Sequence, residues 1–450
     1  MHDDADTIAA IATANGKGGI GIIRVSGPNT ATVAKLLLGG VIEPRQACFR
    51  HFRNADESII DSGLAIYFKS PASYTGEDTL ELQGHGGPVV LDMMLKRVLS
   101  LGARLAQPGE FTQRAFLNNK LDLTQAEAVA DIIDAGTVEA ARSAQRSLQG
   151  AFSGKIKSLQ DSLTQLRLYV ESAIDFSDED IDFLGTQDLK NKIQQLLTAF
   201  SELRATAKQG ALLRDGMTVV IAGKPNAGKS SLLNALAQKD SAIVTSIEGT
   251  TRDILKEHIQ IDGMPIHIID TAGLRETEDI VEKEGVRRAH NAIQSADQVL
   301  LMVDDQETHS EDCLSLLKDI PEQIPVTLIY NKIDKTGVDA CLFNQSDKVV
   351  IRLSAKTGDG LELLTEHLKV LMGFNPVEKN IFLARRRHLD ALEQAEVFVK
   401  SGVTQLLDYQ AGELFAEELR LAQQALSEIT GEFSADDLLG EIFSSFCIGK

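Results

Sequence analysis

The sequence predicts a multidomain chain of α/β and α+β type. An α/β phosphate-binding domain is inserted into an α-helical domain, and a separate α+β domain precedes both. Three observations carry this reading. Short apolar runs separated by Gly-rich turns fill residues 1–119. From residue 120 the texture becomes rich in Ala, Leu, Gln and Glu, with apolar residues at helical spacing. Strand–helix alternation then occupies 213–375, and helical texture returns over 376–450. A helical region interrupted in this way is most simply one domain with an insertion, which is tolerated where the ends of the insert lie close together.

In the first domain, "TIAAIATA", "GIGIIRVSG", "SGLAIYFKS" and "DTLELQGHGG" read as strands. "PVVLDMMLKRVLSLG" reads as a helix stopped by Gly102. "NGKGGIG" (Asn15 to Gly21) is glycine-rich, but a strand follows it rather than a helix, so it predicts a turn and not a dinucleotide site. In the helical part, Thr124 followed three residues later by Glu127 predicts a capping box. After the acidic "DFSDEDID", a further helix runs to about residue 210.

Composition narrows the function. Hydrophobic residues make up 43% and charged residues 24%, as in ordinary globular chains. No apolar run reaches membrane-spanning length, and the acidic start is unlike a signal peptide, so a cytoplasmic location is expected. Cys48, Cys313, Cys341 and Cys447 show no paired metal spacing and are expected as free thiols. The net charge of −20 repels nucleic acid except where basic residues gather. Residues 1–120 are balanced in charge, so the acidic excess lies beyond them; the densest basic run is Arg385 to His388. RNA would therefore be handled through a local patch or a partner.

The inserted domain carries the chemistry. "TVVIAGKPNAGKSSLLNAL" contains G-x-x-x-x-G-K-S between an apolar strand and a helix, the context a phosphate-binding loop requires. Backbone N–H groups and the helix N-terminus face the phosphates. Lys229 reaches the β- and γ-phosphates, and Ser230 ligates Mg²⁺. "IIDTAGLRE" ends a strand with Asp270, which can hold Mg²⁺ through water, and Gly273 N–H can meet the γ-phosphate. "LIYNKID" supplies Asn331, Lys332 and Asp334, whose carboxylate matches the guanine N1–H and 2-amino donors that adenine lacks. Ser354, Ala355 and Lys356 in "LSAKTGDG" brace the base. These motifs predict a GTP-binding P-loop G domain, and Asn331 and Asp334 argue against an ATPase.

Leu274 follows D-T-A-G where many GTPases place a water-orienting Gln, so catalytic help comes from elsewhere. Asn226 in the loop could bind a monovalent cation, and "VTSIEGTTRD" could wrap it with carbonyls while Thr251 completes the Mg²⁺ shell. A fixed K⁺ beside the phosphates would stabilise transition-state charge. Glu276, Glu278, Asp279, Glu282 and Glu284 are the acids available to orient water, or they form an ordinary solvated loop.

The G-K-P-N-A-G-K-S-S loop, "EGTTRD", "DTAGLRE", "FTQRAFLNNKLDL" and the terminal C-x-G-K together resemble the MnmE (TrmE) family of tRNA-modification GTPases, in the same domain order. The resemblance implies a homodimer whose G domains meet across the nucleotides, with K⁺ held by Asn226, Thr245, Ile247 and Thr250. It makes Glu282 the catalytic acid. It implies GTP contacts from Asn226, Ala227, Gly228, Lys229, Ser230 and Ser231 in the loop. To these it adds Thr245, Ser246, Ile247, Glu248, Gly249, Thr250 and Thr251, then Asp270, Thr271, Ala272 and Gly273.

The N-terminal domain is similar to folate-binding domains. The resemblance implies formyl-tetrahydrofolate held by Arg24, Glu81 and Lys120, with Lys450 nearby. A MnmG (GidA)-type partner, carrying FAD, is implied in a heterotetramer that modifies C5 of the wobble uridine of certain tRNAs. Cys447 becomes a candidate for that chemistry; a structural tail packed against the other subunit is the alternative. A regulatory switch acting in ribosome or complex assembly, without modification chemistry, is the competing functional reading.

Overall fold

The structure is a computed structural model that describes residues 6–40, 42–175, 186–224, 226–239, 256–261, 263–270, 293, 296–307, 320–321, 324–345, 348–372, 381–432, 436–444 and 446–449. It divides into two compact units. One comprises 1–133, 147–200 and 390–450; the other comprises 134–146 and 201–389.

The first unit holds a six-stranded sheet in the order β3-β4-β5-β2-β1-β6. Its strands are β1 (Ile8–Ile11), β2 (Gly18–Ser26), β3 (Cys48–Arg53), β4 (Ile59–Phe68), β5 (Thr79–Gly86) and β6 (Arg104–Leu105). The β1–β6 pair is parallel and the other pairs are antiparallel. Helices α1 (Thr30–Leu38) and α2 (Pro88–Ser100) cover one face, where Ile23, Val25, Leu37, Phe52, Leu80, Leu82 and Met94 form the core. α2 starts on Pro88, whose missing N–H costs nothing at that position, and the chain reverses at Gly102 with φ +99°. The expected turn over Asn15 to Gly21 is shorter than that: β2 already begins at Gly18, so the second half of the glycine-rich segment is strand.

Helices α3 (Glu110–Leu117), α4 (Leu123–Asp134), α5 (Val138–Leu148), α6 (Ala151–Asp175) and α7 (Gln187–Asp215) follow. The capping box at the start of α4 differs from the expected one. Asp122 Oδ1 accepts the Gln125 N–H at 2.9 Å, and Gln125 Oε1 accepts the Asp122 N–H at 3.0 Å. Thr124 instead donates its hydroxyl to Asp122 at 2.7 Å. Asp122 takes the cap because an ionised carboxylate binds orphan N–H groups better than a hydroxyl. Within this unit α6 packs on the helix Gly412–Thr430 through a polar seam. Gln160 donates to Ser427 at 3.0 Å, Arg167 to Gln423 at 2.7 Å and Gln423 to Thr164 at 2.6 Å.

The second unit holds a seven-stranded sheet in the order β12-β13-β11-β10-β7-β9-β8. The strands are β7 (Met217–Gly223), β8 (Lys256–Ile261), β9 (Met264–Asp270), β10 (Gln298–Asp304), β11 (Val326–Asn331), β12 (Cys341–Gln345) and β13 (Lys348–Leu353). The five inner strands run parallel, and β8 and β12 reverse at the edges. The parallel strands are nearly continuous apolar runs, as expected of strands buried on both faces. All their C-terminal ends therefore open onto one edge, where ligands of such sheets bind.

Candidate nucleotide and C-terminal sites

The phosphate-binding loop links β7 to α8 (Lys229–Lys239). Backbone requirements explain its glycines. Gly223 has φ +147°, and a Cβ there would lie 2.4 Å from the Met302 carbonyl oxygen. Gly228 has φ +102°, and a Cβ would lie 2.2 Å from Asn331 Nδ2. Asn226 is left-handed, with φ +63°, and solvent-exposed. Buried Lys229 donates from Nζ to the carbonyls of Gly223 at 2.8 Å and Lys224 at 2.9 Å, which places the ammonium over the loop. Ala227 is buried, while Ser230 and Ser231 in the first turn of α8 are exposed. Asp270 ends β9 in register with Ile221, two residues before Gly223.

The residues expected to recognise the base come together at the neighbouring strand ends. Asn331 is buried. Its Nδ2 donates to the Ala227 carbonyl at 2.8 Å, and its Oδ1 accepts the Ala355 N–H at 2.9 Å. Lys332 takes a left-handed conformation, with φ +71°. Ser354 donates its hydroxyl to Asp334 Oδ1 at 2.7 Å, and its own oxygen receives the Thr357 N–H at 3.2 Å. Asp334 Oδ2 has no protein partner among the described residues, which leaves it available to donors on a base. Lys356 is exposed beside them.

Two acids here escaped the sequence reading. Asp304 ends β10 opposite Asn331 and accepts Lys332 Nζ at 2.8 Å. Burial pushes its pKa up, but the hydrogen bonds from Lys332 and the Gln306 N–H hold it below the usual carboxylate range. Buried Asp305 accepts the Thr336 hydroxyl at 2.6 Å and Arg352 Nε at 3.1 Å. The signal for both was the acid pair closing the apolar run "QVLLMVDD".

In the first unit, Arg24 and Glu81 face each other across β2 and β5. Arg24 donates Nε at 3.0 Å and Nη2 at 2.9 Å to Glu81 Oε1. The guanidinium carbon lies 5.6 Å from the Tyr74 ring centre and 5.8 Å from that of Phe111. Tyr74 shares a hydroxyl hydrogen bond with Thr112 at 2.9 Å. Lys120 is exposed and donates to the Pro71 carbonyl at 3.0 Å, on the loop that carries Tyr74. Glu77 of that loop, Glu110, Arg104, Arg114 and Asp6 form one ionic network: Glu110 takes two bonds from Arg104, at 2.9 and 2.6 Å, and one from Arg114, at 3.1 Å. Burial pushes the Glu110 pKa up, and these partners more than offset it.

The C-terminal segment lies on this same unit. Phe443 and Phe446 are buried against Leu123, Ile442 and Phe116. Cys447 is exposed, and its carbonyl accepts the Gly109 N–H at 3.4 Å. The tail thus packs on its own chain. Thr245, Ser246, Ile247, Glu248, Gly249, Thr250, Thr251, Thr271, Ala272, Gly273, Glu282 and Lys450 lie outside the described residues. So do Leu274 and the other switch acids, Glu276, Glu278, Asp279 and Glu284.

Residues 123–447 match a family model described as the MnmE helical domain, and residues 7–120 match one described as the GTP-binding protein TrmE N-terminus. A relative from Proteus mirabilis (strain HI4320), named tRNA modification GTPase MnmE, is 58% identical over 455 residues, covering 100% of each chain. A relative of the same name from Erwinia tasmaniensis is 58% identical, covering 99% of each. Another from Haemophilus influenzae (strain PittGG) is 57% identical, covering 99% of this chain and 100% of its own. With matches of this identity from end to end, and the phosphate and base elements assembled around Asn331, the chain belongs to the MnmE family.

Proposed function

We propose that this chain, a tRNA modification GTPase, hydrolyses GTP with Mg²⁺ and K⁺ and couples that cycle to modification of C5 of the wobble uridine. The observation that supports it most directly is Asn331, which ties the phosphate loop at Ala227 to the base-bracing segment at Ala355. A loop built in this way fits a guanine nucleotide. Its glycines admit no side chain, the Lys229 ammonium lies over the loop carbonyls, and one Asp334 carboxylate oxygen is open to a base.

Ser230 and Thr251 are the residues that would hold Mg²⁺, with Asp270 behind them. Asn226 fits a role in K⁺ binding, being left-handed and solvent-facing in the loop; Thr245, Ile247 and Thr250 would complete the set. Bound K⁺ would supply positive charge to stabilise the transition state. Glu282 orients the attacking water. Two copies of the chain would form the working homodimer, with an FAD-dependent MnmG-type protein completing a heterotetramer on tRNA in the cytoplasm. Among the described residues, no helix is long and apolar enough to cross a membrane.

Formyl-tetrahydrofolate is the proposed one-carbon donor, and the Arg24–Glu81 pair beside Tyr74 suits its mixed polar and aromatic character. Glu81 offers acceptor oxygens to pterin N–H groups, and Arg24, Lys120 and Lys450 supply the cations for glutamate carboxylates. Cys447 is the nucleophile candidate. Nucleoside analysis of tRNA from cells lacking this protein tests the whole reading: an unchanged wobble uridine would refute it. A titration with formyl-tetrahydrofolate separates it from the assembly-switch reading, which requires no such binding.

A further inference from the structure

We infer that Gly109 and Gly449 are positioning residues that pin the C-terminal segment to the N-terminal sheet and so fix the place of Cys447. The consequence for modification rests on the reading of Cys447 given above. Upstream of the thiol, Phe443 and Phe446 anchor the chain, with ring centres 5.4 Å apart, and Phe116 lies 6.4 Å from Phe443. Beyond Phe446, hydrophobic anchoring stops: Cys447 and Ile448 are both exposed. Burial therefore does not hold these two residues, and backbone contacts take over.

Gly109 supplies the first contact. It has φ +68° and donates its N–H to the Cys447 carbonyl. A Cβ there would lie 2.6 Å from the Phe443 carbonyl oxygen and 3.0 Å from Phe446 Cβ. Gly449 supplies the second. It has φ +97°, and a Cβ there would lie 2.5 Å from the Ile11 carbonyl oxygen and 3.0 Å from Ala12 Cα. Both positions combine a left-handed backbone with an approach too close for any side chain. The thiol thus sits on a short span that is hydrogen-bonded to Gly109 on one side and closely packed on Ile11 and Ala12 at Gly449 on the other.

The receiving turn is rigid in its own right. Glu110 accepts the Gln107 N–H at 2.8 Å across Gly109, while Arg104 and Arg114 fix the same carboxylate. Two residues on, Phe111 packs on Arg24. The spacing of C-x-G-K thereby acquires a physical reason: its glycine is where the tail meets the end of β1.

The test uses the full chain with Cys48, Cys313 and Cys341 replaced by Ser and a nitroxide spin label on Cys447. An immobilised spectrum is expected, and Gly109→Ala and Gly449→Ala should each make it mobile. Gly449→Ala changes only the tail, so it cannot fail by unfolding the N-terminal sheet. In unlabelled protein with its reaction partners, both substitutions should lower tRNA modification at least about tenfold and leave GTP turnover within about twofold. An equally immobile label in both variants overturns the inference. Undiminished modification in both, where Cys447→Ser abolishes it, overturns it as well. Normal modification by Cys447→Ser would instead remove the underlying reading of the thiol, while the spectra would still report on the pinning.

Discussion

Asn331 donates from Nδ2 to the carbonyl of Ala227 at 2.8 Å, joining the end of β11 to the middle of the phosphate loop. Its other side-chain atom receives the Ala355 N–H. Asn331→Ala removes both bonds and leaves two buried backbone groups unpaired, a loss of about 1–3 kcal/mol in domain stability. Calorimetry of the G-domain transition should show it, together with weaker binding of both GDP and GTP.

Asp334→Asn should weaken GTP by at least about tenfold, because one acceptor facing the guanine N–H groups becomes a donor. Xanthosine nucleotides, with a carbonyl in place of the amino group, should gain affinity. Titration with the two nucleotides reads both changes, and a variant that still prefers guanine would remove Asp334 from base recognition.

GTP turnover should be much faster in K⁺ than in Na⁺, and Asn226→Ala should erase the difference. Glu282→Ala should retain nucleotide binding and lose turnover by about 10² or more. Steady-state hydrolysis beside a fluorescent-nucleotide titration separates the two effects. An unaltered rate would assign the water to another switch acid.

His367 predicts a pH dependence. It is buried on the helix Leu361–Met372, with Nε2 2.8 Å from Thr327 Oγ1, which also accepts Gln298 Nε2 at 2.8 Å. The Thr327 hydroxyl and His367 Nε2 share one hydrogen bond, in which either can be the donor while the imidazole is neutral. Burial pushes the His367 pKa down from 6.5. The unfolded chain binds the extra proton first, so the contribution to stability is complete above the unfolded value and is lost as pH falls through it. The G-domain melting temperature should drop between about pH 7.5 and about pH 5.5, and His367→Gln should flatten that slope.

Asp122→Ala should cost about 1 kcal/mol in the first unit by removing the α4 cap, measured by thermal unfolding. Thr124→Ser, which keeps the hydroxyl bonded to Asp122, should cost less.

Much of this was legible in the residues. β1, β2, β4 and β5 announce themselves by alternation between Gly-rich turns, and the nucleotide motifs appear in order at the ends of parallel strands. β3 did not stand out. In "CFRHFR" the two phenylalanines lie three apart; Phe52 enters the core while Phe49 is exposed, which masks the period of two. The α4 cap was misread because two overlapping four-residue patterns compete there, and only side-chain geometry decides between them. The acid pair closing "QVLLMVDD" marks Asp304 as a strand-end acid, but not its partner: Lys332 is distant in sequence and reaches it through a left-handed turn. The Cys447 tail was recognisable as a motif, whereas its seat on Gly109 depends on a close approach that spacing cannot reveal.

Arg24 and Glu81 meet any incoming molecule already satisfied by each other. A carboxylate that approaches Arg24 must compete with Glu81 for the guanidinium, while the exposed Lys120 remains the open cation nearby. The share of any ionic-strength dependence that falls on this pair should therefore be small, and the proposed heterocycle should be selected there by its shape and donor pattern. Evolution can then retune which ring is accepted by altering Tyr74 or Phe111, without disturbing the charge balance of the sheet.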